Sequence, residues 1–377
     1  MRKNLLSKNN LIKGHIDIVF LTIVLLLVSF GLIMLFSARY AYAYYYFNNY
    51  FHFISRQAIF AVMGLVVMAV IANIDYRVLT KFTIPLFILS LFLLLIVLFM
   101  PKLNGATRWI SLGFITFQPS EVAKFSIIVL FSHYISLNSN LMKTFKYGVL
   151  PFMLVLGVVA FLMVLEPHLS GTVLILGISA IMMFVGGTSL FWFMLVGGLI
   201  VAGVAVVIMI PGLVQYAMSR VQYWIDPFSD ASGKGYQTIQ SLYAIGSGGF
   251  FGTGIGGSKQ KFLFLPEPHN DFVFSVVCEE LGFIGATIII LLFALLVWRG
   301  FVIAIKSPDK LGSMLAVGFT AQVGLQAVLN IAVVTNTIPN TGISLPFFSY
   351  GGTSLMMLLM QMGIILSISR YSTVDTV

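Results

Sequence analysis

An all-α, polytopic membrane bundle of about ten helices is the fold class this sequence predicts, on three observations. Only 9% of the residues are charged while 59% are hydrophobic, against about 25% charged in a soluble globule. Apolar runs near the roughly 20 residues needed to cross a bilayer core recur ten times along the chain. They do not alternate in polarity, so their backbone groups are satisfied as helices and not as barrel strands.

The runs cover 17 to 37, 56 to 74, 82 to 100, 118 to 136, 147 to 165, 170 to 186, 189 to 210, 271 to 298, 311 to 334 and 345 to 368. They read as one domain, 1–377, with a cytoplasmic N-terminus (1–16), a large extracytoplasmic loop between the seventh and eighth spans (211–270) and a cytoplasmic C-terminus (369–377). In that orientation Arg2, Lys3, Lys8, Lys13, Arg77, Lys81, Lys143, Lys146, Arg299, Lys306, Lys310 and Arg370 lie inside, while the short outer loops keep only Arg39, Arg56, Lys102 and Arg108. This is the positive-inside pattern. It also assigns the net charge of +9 to anionic lipid and leaves no nucleic-acid patch. The first run exceeds a signal-peptide core of about 7 to 15 residues, so it is read as a retained helix despite Ala41-Tyr42-Ala43. The single cysteine, Cys278, excludes an intrachain disulfide. Packing or a partner must therefore hold the outer loop.

Taken in order, the first outer loop, Tyr40 to Phe53, is rich in Tyr, Phe and Asn and reads as an interfacial aromatic belt. Beyond the third span, Arg108 stands beside Trp109. Its guanidinium is either a bidentate phosphate holder or an interfacial anchor. The fourth span opens with Gln118-Pro119-Ser120-Glu121-Val122-Ala123-Lys124, where proline and an early acid suit a helix start. Glu121 and Lys124 are three apart and meet on one helical face, as a functional intramembrane pair or as a structural salt bridge. Glu166-Pro167-His168 carries two ligand types where a catalytic zinc needs three, so a helix-breaking turn is the better reading. No repeat of about 20 to 50 residues supports a solenoid or an inverted-repeat transporter.

Six of the twelve acidic residues fall between 220 and 280, and candidate chemistry concentrates there. Arg220, Gln222, Tyr223 and Trp224 offer donors and a stacking face of the kind sugars and phosphates accept, and Asp226-Pro227 marks a turn. A short surface helix is expected over Tyr236 to Ala244. Seven glycines occupy 246 to 257; Gly252-x-Gly254-x-x-Gly257 lacks the strand and helix of a dinucleotide site and reads as a mobile loop. Lys261 restores positive charge. Beyond it, Pro266 and Pro268, on either side of Glu267, stiffen the approach to a helix expected to start near Asn270 or Asp271. Asp271 is then either an N-cap or a working carboxylate at the outer mouth. Glu279 and Glu280 lie about 12 to 14 Å deeper at 1.5 Å per residue, too far to form a dyad with it, and buried hydrogen bonding is their plainer role. Before the last span, Ser349 sits among small and hydroxyl-bearing residues that permit close helix approach or a hydrogen bond to a headgroup.

Four stretches together carry a resemblance: Gln118-Pro119-Ser120-Glu121-Val122-Ala123-Lys124, Asp226-Pro227-Phe228, Leu265-Pro266-Glu267-Pro268-His269-Asn270-Asp271-Phe272 and Leu345-Pro346-Phe347-Phe348-Ser349-Tyr350-Gly351-Gly352. In this order they look like the motifs of the shape, elongation, division and sporulation (SEDS) family, most of all its FtsW and SpoVE branch, with RodA next. The resemblance covers nearly the whole chain. It implies a peptidoglycan glycosyltransferase that polymerises lipid II at the outer face of the bacterial cytoplasmic membrane during division, sporulation or elongation, with Asp271 catalytic and Glu121 and Lys124 beside a central cavity. The partners it implies are lipid II and the growing lipid-linked glycan, a class B penicillin-binding protein acting as transpeptidase, and other divisome or elongasome membrane proteins. Two departures stand out: His168 occupies a position where the family often has Asp, and Asn270 one where it usually has Thr.

The chemistry fits these residues. A lone Asp271 as general base, with pyrophosphate leaving in a single displacement, gives inversion without the carboxylate pair about 5 to 9.5 Å apart that a glycosidase needs. Arg108, Lys124, Arg220 and Lys261 are candidate cations for the leaving group, with Glu121, Glu267 and Ser349 as further substrate-binding candidates. A divalent cation, Mg or Mn, is another source of that charge, and no other cofactor is indicated. The rival is a lipid II flippase, which would also want Glu121, Lys124, Glu279 and Glu280 within the membrane. Against it stand the missing repeat and the one-sided polarity. A scaffold that only activates a partner is the third reading.

Overall fold

The computed structural model describes residues 14–101, 108–111, 116–166, 168–195, 197–198, 222–233, 235–262 and 271–371. The elements follow in order as α1 (Ile18–Phe47), α2 (His52–Asn73), α3 (Leu79–Val97), a hairpin of β1 (Ile110–Ser111) and β2 (Thr116–Phe117), α4 (Pro119–Asn138), α5 (Leu150–Leu165), α6 (Leu169–Gly186), α7 (Tyr236–Gly248), α8 (Val273–Ile305), α9 (Lys310–Val334) and α10 (Gly352–Tyr371). Among the described residues eight helices are long and apolar enough to cross a membrane, and α6 is a shorter apolar helix. Most of the span expected over 189 to 210 lies outside the described residues. The short helix expected over Tyr236 to Ala244 is α7, which continues to Gly248.

Local sequence explains where these helices begin. Asp17 caps α1, its Oδ1 accepting from the Phe20 N–H at 2.9 Å, and Asp309 caps α9 by accepting from the Gly312 N–H at 2.8 Å. Pro119 stands in the first turn of α4, where its missing N–H removes no intrahelical bond. The first helix runs further than the sequence suggested. Its 30 residues extend about 45 Å at 1.5 Å each, well beyond a core about 30 Å thick. The aromatic belt is therefore largely the projecting end of α1, closed by Asn48 in the left-handed region (φ 50°).

Within the bundle α4, α9 and α10 are central, with 67%, 67% and 72% of their apolar windows buried, whereas α2 and α3 bury 22% each and present broad apolar faces. The α2–α10 crossing is close because it is made at glycines: a Cβ on Gly363 would come 2.7 Å from the Met68 carbonyl oxygen. At one end of the bundle Arg299 Nε meets Asp17 Oδ2 at 2.8 Å and Arg77 Nη2 meets Asp309 Oδ2 at 2.7 Å. There the Gly14 N–H also donates to the Arg370 carbonyl at 2.8 Å, tying the two ends of the described chain together.

The glycine-rich stretch, read from the sequence as a mobile loop, is docked on α8. Helix α8 is interrupted at Gly282 (φ 67°, ψ −168°), which frees carbonyls below the break and amides above it. The Thr253 and Gly254 N–H groups donate to the Glu279 and Glu280 carbonyls at 3.0 Å each, and the Phe283 and Ile284 N–H groups donate to the Gly249 and Phe250 carbonyls at 2.9 and 3.3 Å. Close approach requires glycine here: at Gly252 (φ +78°) a side chain would strike the Glu280 carbonyl. The side chains of Glu279 and Glu280 then hold the next turn. Glu279 accepts from Ser258 Oγ and from the Lys259 N–H (2.8 Å), and Glu280 Oε1 takes Lys261 Nζ at 2.8 Å.

Candidate functional site

At the end of the bundle opposite the Asp17–Arg299 pair, a cavity of about 280 Å³ lies between the hairpin, the starts of α4 and α6, α9 and the segment before α10. Five residues singled out from the sequence, Arg108, Glu121, Lys124, Asp271 and Ser349, line it together. Lys261 does not join them. It is fully buried against Glu280, with Ser37 Oγ at 3.2 Å and the Tyr40 ring centroid at 4.7 Å. Its charge is neutralised there because the docked loop carries it inward. Arg220 and Glu267 lie outside the described residues.

The backbone holds Asp271 from two sides. Helix α8 starts two residues later, at Val273, with Phe272 in the capping position and no side-chain cap. Asp271 therefore does not serve as the N-cap. Asn330 Nδ2 donates to its carbonyl at 2.7 Å. Gly342, at φ +71°, is so close that a Cβ there would lie 3.2 Å from Asp271 Oδ2.

The cations differ in their surroundings. Lys124 Nζ pairs with Glu121 Oε1 at 2.7 Å, with side chains 4% and 13% exposed, so the three-residue spacing does bring them together on one face of α4. Burial holds Arg108 below the usual guanidinium range, while the Asp271 and Glu166 carboxylates pull it back up. Glu166, in the turn after α5, is pushed up to about 8 by burial, against the pull of Arg108. Burial also takes His168 down to about 3, helped by Arg108 and Lys124. At neutral pH this imidazole carries no charge.

The last span begins at Gly352 and not at 345, because Pro346 and the positive φ of Phe347 (67°) exclude helix. This irregular segment reaches the mid-part of α1, where a Cβ on Gly31 would run into the Phe347 carbonyl. Irregular backbone at such depth must line a cavity and have its polar groups satisfied. Ser170 Oγ donates to the Thr341 carbonyl, Asn330 Nδ2 to Ile343 (2.6 Å) and Gln326 Nε2 to Ser344 (3.1 Å). The Leu345 N–H donates to Ser349 Oγ at 2.7 Å, and the Gly351 N–H to Gln57 Oε1 at 3.2 Å. Ser349 thus closes this turn as well as lining the cavity.

Sequence reasoning passed over Gln322, Gln326 and Asn330, and set His168 aside as part of a turn. The available signal was a spacing of four: three amides at 322, 326 and 330 form a polar stripe along one face of the mainly apolar α9. Among the described residues no three His, Cys, Asp or Glu side chains gather as a metal-ligand set. Among the described residues the carboxylates lining the cavity are Asp271 and Glu121.

Comparison with known proteins gives consistent matches. Residues 17–374 match the family model described as cell cycle protein, FtsW, RodA and SpoVE. The chain is 42% identical over 364 residues to stage V sporulation protein E of Bacillus subtilis (strain 168), covering 94% of this chain and 97% of that one. It is 38% identical over 362 residues to the probable peptidoglycan glycosyltransferase FtsW of Geobacter sp. (strain M18), covering 95% and 97%. Among solved structures it resembles a chain of a peptidoglycan synthase complex described as coordinating polymerization and crosslinking, with TM-score 0.78, 30% identity and coverage of 96% and 99%. The rod shape determining protein RodA of Thermus thermophilus matches with TM-score 0.69, 28% identity and coverage of 96% and 98%.

Proposed function

Because the chain belongs to the FtsW, RodA and SpoVE family of cell cycle proteins and is a peptidoglycan glycosyltransferase, we propose that it polymerises lipid II with Asp271 as the general base. The observation that carries this reading is that Asp271 shares one cavity with Arg108 and the Lys124–Glu121 pair. An acceptor sugar hydroxyl gives its proton to the Asp271 carboxylate as its oxygen bonds to the anomeric carbon of the donor. The bond from that carbon to the lipid pyrophosphate breaks, and the pyrophosphate leaves with the electron pair. One displacement inverts the anomeric centre. Among the described residues Arg108 and Lys124 line the cavity and are the cations that would face the leaving group.

The cavity belongs at the outer face of the bacterial cytoplasmic membrane, with both chain ends cytoplasmic. The positive-inside count supports that orientation, and so does the position of the cavity opposite the Asp17–Arg299 end. Both reactants carry lipid tails, and the apolar faces of α2 and α3 would keep them in the membrane plane and supply proximity. A class B penicillin-binding protein is the expected partner, since the solved relative belongs to a complex that coordinates polymerization with crosslinking. Other divisome or elongasome proteins would join through the same membrane. The flippase alternative loses two of its supports, because Glu279 and Glu280 are occupied in holding residues 258–261.

Purified protein supplied with lipid II in detergent tests the reading, since flipping alone makes no polymer. Wild type should extend glycan strands, while Asp271→Ala and Asp271→Asn should make none above background. Polymer from Asp271→Ala at the wild-type rate would remove the base assignment.

A further inference from the structure

Two lipid-linked molecules meet in the proposed reaction, and each carries a pyrophosphate. One is expelled; the other stays on the acceptor and has to be held while its sugar reacts. The cavity has cations for one of them only. Among the described residues its lining sets Arg108 and Lys124 against Glu121 and Asp271, and Lys124 is already paired with Glu121 at 2.7 Å. A second cationic place is therefore expected beside the cavity, where a lipid tail can reach it from the membrane.

The start of α2 is such a place. Phe53 packs edge to face on Tyr350 with ring centroids 5.4 Å apart, and Gln57 Oε1 accepts from the Gly351 N–H at 3.2 Å. Tyr350 and Gly351 both line the cavity. Arg39 of α1 is buried in the same joint, its guanidinium carbon 3.5 Å from the Phe53 ring centroid and 4.7 Å from that of Tyr350. Stacking on rings fixes a guanidinium and leaves its charge in place. Arg56, between Phe53 and Gln57 in sequence, is exposed and makes no ion pair among the described residues. Both arginines lie within electrostatic reach of His52, one turn before Arg56, so two guanidiniums share one small region against the cavity wall.

Arg56 also heads an apolar stripe. At about 100° per residue it lies about 60° round the helix from Phe53, at the edge of the packed face, and within about 60° of Ile59, Met63 and Val70 on the other side. Those three side chains are exposed. From Arg56 to Val70 the stripe extends about 21 Å at 1.5 Å per residue, most of a hydrocarbon core about 30 Å thick. The exposed rings of Tyr50 and Phe51 just before α2 mark the interfacial level. Arg56 thus stands where lipid phosphates lie, and the stripe where lipid tails lie.

We propose that Arg56, on a platform fixed by Arg39, binds the pyrophosphate of the lipid-linked acceptor, whose tail lies along Ile59, Met63 and Val70, while the donor's pyrophosphate leaves toward Arg108 and Lys124. The inference rests on the glycosyltransferase reading and adds to it a second anion site at which no bond is made or broken. A guanidinium grips a phosphate through two parallel hydrogen bonds, which an ammonium cannot do. The contribution of Arg56 is to binding and proximity, so it belongs in the acceptor's KM and not in the chemical step.

The experiment separates the two roles that lipid II plays. Lipid II with its acceptor hydroxyl blocked serves only as donor, and lipid II with a methylene in place of the oxygen between the anomeric carbon and the pyrophosphate serves only as acceptor. The full chain in detergent couples one of each, and the rate is followed against each concentration in turn. Arg56→Gln should raise the acceptor KM about tenfold or more through loss of a charge-assisted contact, and leave the donor KM and kcat within about twofold. Arg56→Lys, which keeps the charge without the fork, should fall between. Because Arg56 is exposed, both variants should melt with wild type. An unchanged acceptor KM, or equal rises in both KM values, would overturn the assignment. Equilibrium binding of the acceptor-only lipid and of phosphatidylglycerol is measured beside turnover. Weaker phosphatidylglycerol binding with acceptor binding unchanged would make Arg56 a contact for bulk phospholipid, and overturn it equally. Absence of coupling by wild type counts against the glycosyltransferase reading, and the anion site then stands or falls on whether Arg56→Gln weakens binding of the acceptor-only lipid about tenfold.

Discussion

One side-chain nitrogen, Asn330 Nδ2, donates to the Asp271 carbonyl at 2.7 Å and to the Ile343 carbonyl at 2.6 Å. The candidate base and the loop bearing Gly342 are thereby fastened to a single point on α9. Asn330 is a positioning residue in this arrangement. Asn330→Leu should lower kcat about 10- to 100-fold, at about 1.4 kcal/mol per factor of ten, with KM changing much less. Loss of two buried hydrogen bonds should also destabilise the fold by about 1–3 kcal/mol. Steady-state kinetics beside a thermal melt checks both, and an unchanged kcat would refute the positioning role.

Gly342 lies against the carboxylate itself. Its φ of +71° disfavours any L side chain, and an added methyl would stand 3.2 Å from Asp271 Oδ2. Gly187 is the natural comparison, because it too has a positive φ (+101°) but nothing within 4 Å of an added Cβ. Both Gly→Ala changes should cost about 1–2 kcal/mol of stability from backbone strain. Only Gly342→Ala should also lower polymerisation, by about tenfold, for misplacing a catalytic group by a fraction of an ångström. Equal activity in the two variants would show that the contact with Asp271 is immaterial.

What was legible in the sequence was what depends on local spacing. Apolar run length located the helices, Pro119 and Glu121 located the start of α4, and the i to i+3 relation of Glu121 and Lys124 anticipated their ion pair at 2.7 Å. What escaped was set by contacts between distant parts of the chain. Lys261 reads as an available cation until Ser37, 224 positions away, and Glu280 surround it. The break at Gly282 and the glycine loop read separately as a continuous helix and a mobile segment, yet each supplies the hydrogen bonds that the other lacks. The late start of α10 is another case, since the segment from 341 to 351 draws its partners from α2, α6 and α9.

Glu166 gives a pH signature. Its carboxyl titrates near 8 in the folded protein, because burial outweighs the pull of Arg108, against an ordinary value of 4.5. Between those two values the unfolded chain has lost a proton that the folded one retains, so this group makes stability fall as pH rises from about 4.5 to about 8. Above that window no further loss accrues. Glu166→Gln should therefore flatten the decline in melting temperature across the window. Its advantage over wild type should be greatest at the alkaline end. Melting curves at half-unit pH steps check this, and parallel wild-type and variant profiles would contradict it.

Two buried ion pairs allow structure and chemistry to be separated. Lys261 and Glu280 are both 0% exposed and lie outside the cavity, while Lys124 and Glu121 are 4% and 13% exposed and line it. Removing one partner of a buried pair strands the other charge, at about 3–5 kcal/mol, whereas replacing both by neutral groups is often close to neutral. Lys261→Met should thus lower stability sharply, and adding Glu280→Gln should recover most of the loss together with the amount of active protein. Lys124→Met should follow the same pattern in stability when combined with Glu121→Gln, but its polymerisation should stay down about 10²-fold in the double variant. The reason is that in the proposed reaction this lysine would face the leaving group, and no neutral partner replaces a cation placed where negative charge develops. Recovery of activity in the Glu121–Lys124 double variant would assign that pair to the scaffold alone.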